Sequence, residues 1–136
     1  MEYHKNAIAF VILLATILST LLLAPAEAKH LYPEKTYQDQ WCSKYQGQTE
    51  VRLVDGTRID CLTQNYAVEF DFAPKWAECI GQTLHYADLT GKRPACVLII
   101  ERKKDWKHYR KLRKSATKHG IKAWYITPHQ IKKRPE

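Results

Sequence analysis

The stretch from Arg58 to Phe72 constrains the chain most, because it can be satisfied only as two paired strands. Arg58–Thr63 and Tyr66–Phe72 are both β-type runs, and Gln64-Asn65 between them is tight-turn material. Successive strand residues face opposite ways. Val68, Phe70 and Phe72 therefore share one side of the second run, and Glu69 and Asp71 share the other. With a two-residue turn, Leu62 lies opposite Ala67 and Asp60 opposite Glu69. Like charges so placed repel, unless a cation or a proton comes between them.

The rest of the chain extends this hairpin into an α/β domain. Residues 33–46 read as a helix, with Tyr37, Trp41 and Tyr45 four residues apart on one face. Glu50–Val54 forms a further β-type run, joined to the hairpin through Asp55-Gly56. Pro74 opens a helix running to about Asp88, with Gly91 closing that region. Cys96–Glu101 is a continuous apolar run, as in a strand covered on both faces. Asp105–His119 is an amphipathic helix stopped by Gly120, and Ala123–Thr127 is a last strand. The order α-βββ-α-β-α-β implies a mixed sheet flanked by helices, with a crossover between the third and fourth strands.

The 136 residues suffice for one such domain once the start is set aside. A short segment with Lys5, an apolar run from Ala7 to Ala24 and Ala26-Glu27-Ala28 make a secretory signal peptide cut after Ala28. An uncleaved anchor is the alternative. The expected domain is residues 29–136, exported to the periplasm or secreted, with no stable membrane partner if the leader is cut. With Lys5, Glu2 and Glu27 removed, 21 Lys and Arg stand against 12 Asp and Glu, a net charge of +9. Such an excess favours a polyanionic partner, nucleic acid or an anionic membrane surface. Cys42, Cys61, Cys79 and Cys96 are spaced unlike the close pairs of a zinc site. In an exported chain they are expected to be disulfide-bonded, with three pairings open and free buried thiols the alternative.

Two helices carry the remaining signals. On the helix after Pro74, Trp76, Ala77, Ile80, Leu84 and Ala87 form an apolar stripe expected to pack on the sheet. Lys75, Cys79, Gln82 and Tyr86 form a separate stripe that begins beside the acidic strand. On the helix from Asp105, Trp106, Tyr109, Leu112 and Ala116 form the buried stripe. Lys107, Arg110, Lys111, Lys114 and Lys118 are left outward, a face suited to phosphates.

The segment from Glu50 to Glu101 resembles the PD-(D/E)XK nuclease superfamily, in the branch with a Gln-x-x-x-Tyr helix motif. Asp60 in Arg58-Ile59-Asp60 matches the first acid, and Glu69 in Val68-Glu69-Phe70-Asp71 the second. Gln82-Thr83-Leu84-His85-Tyr86 matches the helix motif. Residues 73–87 also resemble small uncharacterised bacterial and phage-borne members. The resemblance implies a restriction-endonuclease-like α-βββ-α-β core, here with an extra C-terminal helix and strand. It further implies Mg²⁺ or Mn²⁺ on Asp60 and Glu69, with Lys75, Gln82 and Tyr86 completing the catalytic set. The substrate would be nucleic acid, DNA before RNA. The chain departs from the motif at Asp71, where the family has a lysine that activates the attacking water. Lys75 is the candidate to supply that ammonium group. Glu34 and Glu50 are candidates for a further acid. Two rival readings are a non-catalytic nucleic-acid-binding module of the same fold and an exported, disulfide-stabilised interaction protein.

Overall fold

The computed structural model describes residues 29–131. The expected leader, residues 1–28, and the last residues, 132–136, lie outside this range. Among the described residues no helix is long and apolar enough to cross a membrane.

The chain runs through α1 (Glu34–Lys44), β1 (Gln48–Arg52), β2 (Arg58–Leu62), β3 (Tyr66–Phe72), α2 (Trp76–Thr90), β4 (Arg93–Ile99), α3 (Trp106–Lys118) and β5 (Lys122–Ile126). The five strands form one mixed sheet in the order β1-β2-β3-β4-β5. The first three are antiparallel neighbours, while β3, β4 and β5 run parallel. The element order is the one expected from the sequence, and the fold is α/β in the plain sense of a helix-covered mixed sheet. Central β4 is buried from Ala95 onward, as its apolar run requires of a strand covered on both faces. The β1 run sits two residues earlier than its composition suggests, and a five-residue loop, residues 53–57, separates it from β2.

On one face, Tyr37, Trp41 and Cys42 of α1 pack against Cys61, Val68, Phe70, Ala95, Val97, Ile99 and Ile126. On the other, α2 and α3 cover Cys96 and Leu98 with Cys79, Leu112 and Ala116. A Cys42–Cys61 disulfide ties α1 to β2, and such bonds persist in oxidising compartments. Cys79 and Cys96 are free and buried, the Cys79 thiol donating to the Glu69 carbonyl at 3.5 Å, so one of the possible bonds forms and the other two thiols sit within the core. Gly47 lies against the disulfide so closely that a Cβ there would stand 2.5 Å from the Cys61 Sγ.

The face that α2 presents to the sheet is not the expected one. Its buried residues are Cys79, Thr83 and Tyr86, whereas Leu84 and Ala77 are exposed. The reason is hydrogen bonding. The Thr83 hydroxyl donates toward the Ala67 and Ala95 carbonyls and accepts the Ala95 amide, all at 2.9 Å. A polar side chain satisfied in this way belongs inside, between β3 and β4. The stripe on α3 is as expected: Leu112 and Ala116 are buried, Trp106 and Tyr109 half-buried, and the basic residues outward.

Candidate functional site

The acids gather where β2 and β3 part. Regular pairing between these strands covers only Cys61–Val68 and Leu62–Ala67. One residue further, where the same register would set Asp60 opposite Glu69, the Asp60 carboxylate accepts the Phe70 backbone N–H at 2.9 Å. A side chain thus takes the place of a strand partner, satisfying a buried donor that would otherwise be costly. The acid is thereby fixed in the gap between the strands. From the α1 side, the Gln38 amide reaches the Asp60 carbonyl at 2.5 Å and the Glu50 carboxylate at 3.0 Å.

Glu50 reaches this position through an unusual backbone. It is a non-glycine residue at φ 59°, a conformation that costs energy and recurs at functional sites. The β1–β2 register runs through Thr49–Cys61 and Val51–Ile59, which places Glu50 across from Asp60. Its carboxylate also meets Arg58 at 2.7 Å. The five-residue loop, residues 53–57, sets this register.

Glu69 and Asp71 are 7% and 5% exposed, and Glu69 Oε2 and Asp71 Oδ2 have no hydrogen-bond partner. Burial, then the Asp60, Asp71 and Glu34 charges, push the Glu69 carboxyl up to about 10. Asp71 is pushed up to about 7, chiefly by burial and then by Glu34, with Lys75 pulling the other way. Asp60 and Glu34 are raised as well, both first by burial. Four carboxyls thus act on one another in a space poor in water, and protons or a cation must offset their charge.

The remaining expected residues divide. Tyr86 is buried against Ile59 and Ala67, and its hydroxyl is raised to about 12 by burial and then by Glu69 and Asp60. Lys75 lies at the rim, largely exposed, 3.7 Å from Glu78, yet close enough to act on Asp71 and Glu34. Gln82 is exposed, on the solvent side of α2 because Thr83 takes the inner side. Lys107, Arg110, Lys111, Lys114 and Lys118 are all exposed, and none meets a carboxylate among the described residues. Gln38 went unnoticed in the sequence. Its signal is a polar residue one turn before Cys42 and beside Tyr37 and Trp41, on the face that packs inward.

Hard oxygen donors of this kind suit Mg²⁺ or Mn²⁺, and the orphaned oxygens of Glu69 and Asp71 are the observation that fits one. Among the described residues no three His, Cys, Asp or Glu side chains already form a ligand set for a metal ion. The carboxyls lie near enough to act on one another's charge but do not converge on one point. Comparison with protein-family models, curated proteins and solved structures finds no match.

Proposed function

We propose that the protein is a divalent-cation-dependent hydrolase of nucleic-acid phosphodiester bonds, working in an oxidising compartment outside the cytoplasm. The observation that carries this reading is the pair of buried, unpartnered oxygens on Glu69 and Asp71, next to an Asp60 carboxylate fixed at the Phe70 amide. Asp60, Glu69 and Asp71 are the residues that would hold the cation. Bound there, it would supply a Lewis acid for the phosphate and a more acidic water. Lys75 offers positive charge at the rim, the Tyr86 hydroxyl offers a hydrogen bond from the sheet side, and the basic face of α3 attracts the polyanion.

A second reading has its own support. Lys75 leans on Glu78, and Gln82 points to solvent, as suits a module of the same build that binds nucleic acid without cutting it. An exported interaction protein would share the disulfide but has no use for the acids. The test is incubation of oxidised protein with single-stranded DNA, duplex DNA and RNA, with and without Mg²⁺ or Mn²⁺, beside Asp60→Asn and Glu69→Gln. Metal-dependent cleavage lost in both variants supports the hydrolase. Metal-independent binding without cleavage selects the module, and cleavage that survives both substitutions removes this site from consideration.

A further inference from the structure

The acids occupy one face of the sheet, and a different kind of surface lies on the other. Four rings, Tyr66, Trp124, Trp41 and Tyr45, run from β3 and β5 across to α1. Their successive centroids are 5.1, 5.3 and 4.2 Å apart. The alternation of the strands explains the placement: Trp124 pairs with Val97, and Val97 with Phe70, so all three face α1. Glu69 pairs with Cys96 and faces away.

Where the row reaches the surface it borders a cavity of about 510 Å³. Trp41, Tyr45 and Trp124 supply the aromatic wall, Lys44 and Gln130 are among the polar groups, and the Tyr125 ring turns to the other face of the sheet, against Trp106 and Tyr109. Tyr45 is 49% exposed, so its ring is open to a ligand. The volume is that of a small-ligand site, about one or two nucleobases.

Cations flank the row. The Lys44 ammonium lies 5.5 Å from the Tyr45 ring centre, Lys122 5.9 Å from Trp124, and Arg93 4.3 Å from Tyr66. None of the three meets a carboxylate among the described residues, and no acidic side chain lines the described part of the cavity. Rings that accept a flat π-face, bordered by unpaired cations and free of acids, match an unpaired base followed by its phosphate. A neutral sugar would use the rings but leave the cations idle. A bare polyanion would use the cations but leave the rings idle.

We propose that the cavity beside Tyr45 and Trp124 is a binding site for single-stranded nucleic acid, with an unpaired base stacked on these two rings, which the buried Trp41 backs, and the adjoining phosphates held by Lys44 and Lys122. The site lies on the face of the sheet opposite Glu69 and Asp71, so loss of cleavage would leave it intact.

Tryptophan fluorescence reads it directly, since Trp41 and Trp124 form the wall. The oxidised protein, in chelator to exclude metal effects, is titrated with a four-residue thymidylate strand. Parallel titrations use a duplex, inorganic polyphosphate and a neutral oligosaccharide. The expected result is saturable quenching by the single strand. Tyr45→Ala should weaken binding by about tenfold, the loss of one stacked base, whereas Tyr45→Phe retains it. Lys44→Ala should reduce the salt dependence by about 0.7 in the log–log slope. Tyr45 lies at the surface, and an unchanged melting temperature confirms that the variant folds. Quenching by polyphosphate with no effect of Tyr45→Ala would reduce the site to bare charge and overturn the proposal. So would tighter binding of the oligosaccharide, or no quenching by the single strand.

Discussion

The Asp60 carboxylate and the Phe70 amide, 2.9 Å apart, stand where a β-ladder would continue and close the gap between β2 and β3 with a side chain. The bond needs an oxygen acceptor but not a charge. Asp60→Asn should keep it, costing the metal-free protein no more than about 1 kcal/mol at neutral pH. Asp60→Ala should strand a buried amide and cost about 1–3 kcal/mol. Chemical denaturation of the two variants side by side checks the difference.

Repulsion among the acids has a pH signature. A buried carboxyl with a raised pKa keeps its proton in the folded chain where the unfolded chain has lost it, so stability falls as pH climbs through that window. For Asp71 the window runs from the ordinary 3.8 to about 7, and for Glu69 from 4.5 to about 10. Stability of the metal-free protein should therefore decline from about pH 4 to 10, by up to ~1.4 kcal/mol per pH unit for each group within its own window. Glu69→Gln should flatten the upper part of the slope. Mg²⁺ should raise the melting temperature more at pH 8 than at pH 5. Thermal melts across pH, with and without Mg²⁺, measure all three effects.

The sulfurs should divide into two classes. Reducing the Cys42–Cys61 bond, which spans 19 residues, should cost about 3 kcal/mol. Cys79 and Cys96, both buried, should react with a thiol reagent only after denaturation. Gly47→Ala should cost about 1–3 kcal/mol through the crowding of a Cβ against the disulfide. Thiol counting in native and denatured protein, with denaturant midpoints, separates these expectations.

On α3, interior and exterior should respond in opposite ways. Leu112→Ala, at a fully buried position, should cost about 2–5 kcal/mol. Replacing Lys111 and Lys114 together with Glu should leave stability within about 0.5 kcal/mol while weakening duplex binding and lowering its salt dependence. Melting curves and binding titrations at two salt concentrations resolve the pair.

What could be read from the sequence was whatever local pattern controls. Tyr66–Phe72 is a strand with its expected bounds because the alternation and the Gln64-Asn65 turn agree. The buried stripe of α3 follows its periodicity because it is purely apolar. The inner face of α2 was misread because Thr83 and Cys79 count as weak core residues until their partners on β3 and β4 are known. Glu50 could not be placed because its position depends on a five-residue loop and a left-handed backbone, neither of which has a local sequence signature. The placement of Asp60 opposite Glu69 follows from the turn, but the bond from the Phe70 amide does not, since a carboxylate standing in for a strand partner is a tertiary event.

Gln38 and Cys42 are one helical turn apart on α1, and they grip successive residues of β2, Asp60 by a hydrogen bond and Cys61 by a covalent one. A strand's register is normally an equilibrium choice, and a slip of one residue turns every side chain to the opposite face. Here a slip would have to break a bond between sulfurs. The disulfide therefore holds Cys61 in place against α1, and with it the neighbouring Asp60, for as long as the bond stays oxidised.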